Sequence, residues 1–134
     1  FDEAFAHRIY GGADMLLMPS RFEPCGLARL NAMRYGTIPI IRGTGGLAET
    51  LGDTDRVTLA DGTTTGFQFD GADADSLAAA VRRACDRFAQ PETWRALIDH
   101  AVRRDSGWGR SARAYRKLYR DALNARHRHL PPFV

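Results

Sequence analysis

Two short apolar runs lie in the first third of the chain, one at 15–18 and one at 38–41. Each run comes after a segment with helical spacing, and each leads through a loop into another such segment. Short apolar runs of this kind are typical of strands in a buried parallel sheet, where helices make the crossover connections. The pattern therefore predicts an α/β fold, a Rossmann-like parallel sheet with flanking helices.

The same pattern sets approximate bounds for the elements. Helices are predicted at 2–11, 26–35, 46–52, 74–89, 91–104 and 108–124, and strands at 14–18, 38–41 and 66–69. The later helices carry arginines on their polar faces, and their apolar sides include Leu77, Val81, Cys85 and Phe88. A loop rich in Thr, Asp and Gly is predicted at 52–65, and the tail at 124–134 is predicted to be disordered.

The loops after the first two predicted strands carry the candidate chemistry. The first reads PSRFEPCGL at 19–27, and the second contains TGGL at 44–47. Because loops at the carboxyl ends of successive parallel strands point the same way, Glu23 and the amides of 44–46 are expected to line one crevice. Glycines allow backbone N–H groups to approach a ligand closely, and a helix beginning near Leu47 would add N–H groups that suit a phosphate.

Each loop also has a purely structural interpretation. A turn from strand to helix can need glycine for its backbone geometry alone, without any ligand. A glutamate such as Glu23, just ahead of a proline and a helix, can be an exposed first-turn acid that the helix dipole favours. The residues by themselves leave both interpretations open.

Several segments of the chain together resemble a known family. They are 1–9, 12–14, 19–27, 32–39, 44–50 and 65–69, followed in the last helix by Trp108, Ser111-Ala112, Tyr115 and Leu118-Tyr119. Over residues 1 to 123 the chain resembles the carboxyl-terminal domain of bacterial glycogen synthases, the ADP-glucose-dependent relatives of plant starch synthases. The resemblance implies part of a retaining GT-B glycosyltransferase, in which two Rossmann-like domains face each other across a cleft. Residues 1–123 would form part of its donor-binding domain.

The resemblance also implies an activity and its residues. Enzymes of the family transfer glucose from ADP-glucose to the 4-hydroxyl at the end of an α-1,4-glucan such as glycogen, without a metal or other cofactor. Glu23 matches the catalytic acid near the donor glucose, where a fixed carboxylate stabilises an oxocarbenium-like state by electrostatic preorganisation. Phe1 matches the aromatic residue that stacks on adenine, and Cys25, Gly26 and Leu27 match residues whose backbone N–H groups meet the sugar hydroxyls. Thr44 and Gly45 match the diphosphate contacts, and Gly46 is counted with them as substrate-binding through the 44–46 amides.

Three residues depart from the family's usual pattern. Ala28 and Arg29 stand where the family commonly has Thr and Gln, and Gly43 stands where a second arginine is common. Length is the larger departure, because 134 residues suffice for one domain and the family's enzymes have two. The chain is therefore expected to need a missing N-terminal domain and to be inactive alone. The alternative is a non-catalytic remnant that binds a nucleotide sugar or serves as an interaction module.

Composition narrows the classes of binding partner and of metal site that the chain could have. The net charge of +3 comes largely from arginines on helix faces, so no nucleic-acid partner is expected. No apolar stretch approaches the roughly 20 residues needed to cross a bilayer, so no membrane partner is expected either. The two cysteines form neither a disulfide nor a zinc pattern, and the four histidines lack i, i+4 pairing. A reduced, cytoplasmic protein without a metal site is predicted.

Overall fold

The computed structural model describes residues 2–47, 51–54 and 56–129, apart from the side chains of 56–58 and 127–129. Its helices are α1 (Glu3–Gly12), α2 (Leu27–Tyr35), α3 (Arg56–Asp61), α4 (Ala74–Phe88), α5 (Pro91–Arg103) and α6 (Trp108–His129). Its strands are β1 (Met15–Met18), β2 (Ile38–Arg42) and β3 (Phe67–Phe69), and a 3-10 helix spans Gly45–Leu47. The chain divides into two compact units, 1–104 and 105–134.

The strands form a three-stranded parallel sheet in the order β1-β2-β3. Met15 pairs with Ile38 at one end of β1, and Arg42 pairs with Phe69 at the far end of β2. All three strands therefore end at the same edge of the sheet. The prediction of an α/β fold with a parallel sheet and flanking helices is confirmed for the described residues.

Two apolar clusters hold the sheet and its helices together. The larger contains Ile38, Ile40, Phe67 and Phe69 from the sheet, with helix residues Met33, Ala80, Ala84, Trp94, Leu97 and Ala101. The smaller contains Met18, Ile41 and Leu47. Successive residues of a strand point to opposite faces, which explains why Ile40 and Ile41 belong to different clusters. Leu47 brings the smaller cluster directly beneath the loops that follow β1 and β2.

Local signals fix several helix ends. The Asp2 carboxylate accepts a hydrogen bond of 3.0 Å from the Phe5 N–H at the start of α1. Asp73 does the same for the Ser76 N–H, at 2.8 Å, at the start of α4. These are N-caps, in which a side-chain oxygen satisfies an amide that the first helical turn leaves unpaired. Gly36 ends α2 with a φ of 84°, a conformation that glycine adopts without steric cost.

The helix predicted at 46–52 is wrong in extent. The structure has one turn of 3-10 helix at Gly45–Leu47, residues 51 and 52 are not helical, and 48–50 lie outside the described residues. Two consecutive glycines disfavour a regular helix. Their backbone also packs against the preceding loop, so tertiary contact decides the local conformation.

The loop predicted at 52–65 contains a helix that the sequence did not predict. This helix, α3, spans Arg56–Asp61 and ends at Gly62, whose φ is 75°. The Asp61 carboxylate then accepts a hydrogen bond of 2.9 Å from the Thr63 N–H. A helix this short has almost no periodicity to detect, which is why turn composition dominated the prediction.

The second unit contains the long helix α6. It continues to His129, so residues 124–129 of the predicted disordered tail are helical, and 130–134 lie outside the described residues. Its large apolar side chains are exposed, namely Trp108, Tyr115, Leu118, Tyr119 and Leu123. They recur at helical spacing, and Arg110, Arg113 and Arg120 occupy the other face. Among the described residues, no helix is long and apolar enough to span a membrane.

Candidate active site

The candidate site lies where β1 and β2 end, in the loops 19–26 and 43–47. Glu23 is half-buried, and its Oε1 accepts a hydrogen bond of 3.0 Å from the Gly26 N–H. Gly26 precedes α2 with a φ of 71° and has no side chain with which to cap the helix. The Glu23 carboxylate therefore stabilises the turn that leads into α2, and this contact fixes the direction of the carboxylate.

The two loops are joined by hydrogen bonds. The Gly46 N–H donates to the Glu23 carbonyl oxygen at 3.0 Å, and the Thr44 hydroxyl donates to the Arg21 carbonyl oxygen at 3.4 Å. The structure thus brings Glu23 together with the 44–46 segment, as the order of the strands predicted. It also shows that the Gly46 amide already has a partner within the protein.

The glycines of the second loop permit this close approach. A Cβ on Gly45 would lie 2.3 Å from the Glu23 carbonyl oxygen, and a Cβ on Gly46 would lie 2.6 Å from the Pro24 carbonyl oxygen. Both distances are far below van der Waals contact, and Gly45 also has a φ of 51°. The structural interpretation of these glycines is therefore correct. Gly45 is an exposed residue, so this interpretation is compatible with a ligand role for its amide.

The other predicted contact residues follow Glu23 directly. Cys25 and Leu27 are exposed at the start of α2, whereas Gly26 between them is buried. A Cβ on Gly26 would lie 2.5 Å from Leu47 Cδ2, so the apolar cluster under the site sets this turn as well. Phe1, the residue expected to stack on adenine, lies outside the described residues.

A buried arginine lies close to this turn. Arg29, in the first turns of α2, is only 2% exposed, and its Nε lies 3.8 Å from the point where a Gly26 Cβ would be. Burial lowers the pKa of Arg29, and the positive charge of Arg104 lowers it further by a smaller amount. In the sequence, Arg29 stood out only as a departure from the family pattern. Its helical spacing from the buried Ala32 and Met33 was the signal that could have placed it on the inner face.

Arg42 is a second residue that sequence reasoning did not select. It ends β2, and its guanidinium donates hydrogen bonds to the carbonyl oxygens of Ser20, Arg21 and Asp70. Those carbonyls belong to the loops that follow β1 and β3. One side chain thus connects all three strand ends at the edge of the sheet that carries the candidate site.

A cavity of about 190 Å³ opens at this edge, beside the candidate site. Its lining comes from the strand ends and the first turns of α4, and includes Pro19, Arg21, Arg42, Phe69, Asp73 and Leu77. Glu23 and the 44–46 segment do not line it. We therefore place the candidate chemistry at the two loops and not in this cavity.

The described part of the chain offers no group of three or more His, Cys, Asp or Glu side chains arranged to hold a metal ion. Cys25 and Cys85 are both free thiols and both exposed. The site is therefore described by a carboxylate, a free thiol and the backbone amides of two tight turns.

Comparison with known proteins identifies the family. Residues 5–97 match the family described as glycosyl transferases group 1. The chain belongs to this family. This group 1 glycosyl transferase chain is 48% identical over 126 residues to the glycogen synthase of Methylocella silvestris, and 50% identical over 119 residues to that of Serratia proteamaculans. The expected similarity to glycogen synthases is thereby confirmed.

These matches cover 94% and 89% of this glycosyl transferase chain but 26% and 25% of the relatives' own length. The chain thus spans about a quarter of the length of the curated relatives that it matches. The candidate site occupies that shared quarter.

Solved structures with similar folds extend the comparison. The catalytic domain of starch synthase IV from Arabidopsis thaliana, bound to ADP and acarbose, matches this glycosyl transferase chain with a TM-score of 0.83 and 40% identity, over 92% of this chain and 25% of that one. Sucrose-phosphate synthase from Thermosynechococcus elongatus matches with a TM-score of 0.60 and 29% identity, over 93% and 29%. The first likeness confirms the Rossmann-like GT-B fold that the sequence predicted.

Proposed function

We propose that this chain is the donor-binding part of a glycogen or starch synthase. The enzyme would transfer glucose from ADP-glucose to the non-reducing end of an α-1,4-glucan, with retention of configuration. Identity of about 50% to glycogen synthases across most of the chain supports this proposal. The observation that carries it is the contact between the Glu23 loop and the Gly45-Gly46 turn, which puts a fixed carboxylate beside the exposed Gly45 at one sheet edge.

Glu23 is the catalytic residue in this proposal. The transfer builds positive charge on the glucose ring and negative charge on the departing diphosphate. A half-buried carboxylate that is already oriented stabilises the positive charge without reorganising during the reaction. Its hydrogen bond from the Gly26 N–H supplies that orientation.

The donor contacts divide between the two loops. Thr44 and Gly45 bind the diphosphate, and Gly45, which is an exposed residue, does so through its backbone. Cys25 and Leu27 present backbone N–H groups to the sugar hydroxyls, and Phe1 stacks on the adenine ring. The Gly26 and Gly46 amides already donate to Glu23 atoms, so these two glycines support donor binding through the shape of the loops.

The binding site for the acceptor glucan and the facing wall of the cleft would come from an N-terminal domain outside this chain. We therefore propose that the 134-residue chain binds ADP or ADP-glucose but transfers glucose only as part of the longer protein. The two free, exposed cysteines are compatible with a reducing cytoplasm.

Two measurements test this function. The first follows labelled glucose from ADP-glucose into glycogen, with the full-length protein that contains this chain and with the 134-residue chain. The second follows ADP binding to the same preparations by calorimetry, with UDP as the matched control ligand. We expect transfer only by the longer protein and a preference for ADP in both preparations.

The alternative function, a nucleotide-sugar-binding or interaction module without catalysis, predicts a different outcome. ADP binding without any transfer by the longer protein would favour that module. Transfer from UDP-glucose in preference to ADP-glucose would contradict the proposed donor.

A further inference from the structure

The loop at 19–26 carries Glu23 and runs from the end of β1 to the start of α2 without regular structure. Its conformation must therefore be fixed by contacts with neighbouring elements. Within 19–26, Glu23 is the residue that must be held in place for glucosyl transfer. Loops owe a fixed geometry to hydrogen bonds that reach them from neighbouring elements. The contacts of this loop therefore indicate which residues determine the position of Glu23.

Most of these contacts come from the end of β2 and the turn after it. Arg42 Nη1 donates to the carbonyl oxygens of Ser20 at 3.4 Å and of Arg21 at 3.1 Å. The Thr44 hydroxyl donates to the same Arg21 oxygen at 3.4 Å. The Gly46 N–H then donates to the Glu23 carbonyl oxygen at 3.0 Å. Residues 42–46 thus supply hydrogen bonds that fix the backbone of the loop at Ser20, Arg21 and Glu23.

The third hydrogen bond of Arg42 fixes the guanidinium itself. Its Nε donates to the Asp70 carbonyl oxygen at 3.0 Å, at the end of β3. A guanidinium is planar and presents its donors in a rigid fork. Anchored on the β3 side and by its own strand, the fork holds the Ser20–Arg21 segment at a set distance from the centre of the sheet.

We propose that Arg42 is a positioning residue for the glucosyl transfer, because it holds the loop that presents Glu23 in register with the Thr44–Gly46 turn. This inference rests on the proposed function. Arg42 acts through backbone carbonyls and not through the ligand, since three of its five N–H groups point to carbonyl oxygens of the protein. Its charge makes each of these hydrogen bonds stronger than a neutral one.

The contrasting role is direct binding of the diphosphate by the Arg42 guanidinium. The two roles predict different kinetics. A residue that positions Glu23 affects turnover, because a displacement of about 1 Å at the reacting centre can cost about 100-fold in rate. A residue that binds the diphosphate in both ground and transition state affects substrate affinity instead.

The test uses the full-length protein with Arg42→Met and Arg42→Lys. The matched control is Arg34→Met, which removes an exposed arginine from the last turn of α2. For each variant we would measure kcat and KM for ADP-glucose, the Kd of ADP, and hydrogen exchange of the 20–26 segment compared with β2. We expect Arg42→Met to lower kcat by about 10- to 100-fold.

The other readouts should separate positioning from binding. For Arg42→Met, the Kd of ADP should change by less than about twofold, and exchange should rise in 20–26 while β2 stays protected. Arg42→Lys should be intermediate, because a lysine keeps the charge but reaches fewer carbonyls. Arg34→Met should match the wild type.

Several results would overturn the proposal. A loss of ADP affinity as large as the loss of kcat would make Arg42 a ligand-binding residue. A wild-type kcat in both variants would show that the hydrogen bonds of Arg42 do not affect turnover. If Arg42→Met does not fold, Arg42→Lys decides, and equally raised exchange in β2 and in 20–26 would make Arg42 a residue of the fold. Absence of transfer by the wild type would refute the proposed function, whereas the exchange measurement would still test the support of the loop.

Discussion

At the residue scale, two oxygen atoms of Glu23 accept hydrogen bonds from the protein. Its backbone carbonyl accepts the Gly46 N–H, and its carboxylate accepts the Gly26 N–H. The first contact places the residue, and the second orients its side chain. Catalysis in our proposal needs both the placement and the charge of the carboxylate, and substitution can remove the charge while keeping the placement.

Glu23→Gln should lower kcat strongly in the full-length protein while leaving the Kd of ADP nearly unchanged. Glutamine keeps an oxygen that can accept the Gly26 N–H, so the turn survives, but the negative charge beside the glucose is lost. Steady-state transfer assays and calorimetry check this expectation. Equal loss of turnover and ADP affinity would instead show that Glu23 maintains the shape of the site.

Gly45→Ala should damage the same site through sterics. The new Cβ would lie 2.3 Å from the Glu23 carbonyl oxygen, and the φ of 51° is unfavourable for alanine. Strain of this kind costs about 1–3 kcal/mol, so we expect a lower free energy of unfolding and a large loss of transfer. Gly12→Ala is the control, because a Cβ there meets nothing within 4 Å. Full activity of Gly45→Ala would mean that the two loops separate without consequence.

At the element scale, side-chain contacts tie α1 and α4 to the strands or to the segments beside them. Thr37, which is buried just before β2, bonds through its hydroxyl to the carbonyl oxygens of Tyr10 and Ala13, the second at 2.8 Å. This joins the end of α1 to the start of β2. At the other side of the sheet, Arg83 of α4 forms a salt bridge of 3.1 Å with Asp53 and donates to the Gln68 carbonyl oxygen at 2.6 Å. Such contacts give α1 and α4 fixed positions relative to the sheet.

The N-cap of α4 has a pH-dependent strength. Hydrogen bonds from the Ser76 N–H and hydroxyl lower the pKa of Asp73 below its ordinary value of 3.8. A lowered pKa in the folded state means that the ionised cap stabilises the fold above the ordinary pKa, and that this is lost as pH falls through the lowered pKa. Asp73→Ala should therefore reduce the urea midpoint at neutral pH.

The difference between Asp73→Ala and the wild type should shrink as pH is lowered below 3.8. Urea titrations of both proteins across this range measure it. Asp73→Asn is a useful second variant, because asparagine also caps helices but does not titrate in this range. A midpoint difference for Asp73→Ala that stays constant with pH would contradict the role of the ionised carboxylate.

At the scale of the whole molecule, the sheet is small. Within the described residues β2 is paired on both sides and β1 on one side only. Leu17 of β1 is 45% exposed although it sits in a strand of four apolar residues. An apolar strand at an open edge favours pairing with another chain. The isolated chain is therefore expected to associate with itself.

Leu17→Lys should reduce this association, because a charge on an edge strand opposes pairing between sheets. Sedimentation velocity of the 134-residue chain at several concentrations measures the effect. Ala79→Lys, at an exposed position of α4, adds the same charge elsewhere and serves as the control. An equal decrease in both variants would indicate repulsion by net charge and not an effect at the edge.

The sequence by itself determined the order of the strands and helices and the loops that carry the site. These features follow from local information: apolar runs mark β1 and β2, helical spacing marks α2, α4 and α5, and parallel strands must end at one edge. The loops marked Glu23 and the 44–46 amides as candidates, and the resemblance to glycogen synthases added the roles expected of them. None of this required knowledge of which distant residues touch.

Only the tertiary structure decided the details of the site. Arg42 contacts the Ser20–Arg21 segment and Asp70, and Gly46 approaches Glu23, so these contacts join parts of the chain that are separate in sequence. The burial of Arg29 likewise depends on the elements that pack around it. The short 3-10 turn at Gly45–Leu47 has the same origin. Local propensity describes what a segment prefers in isolation, whereas these features arise from hydrogen bonds and excluded volume between segments, which exist only after the sheet has formed.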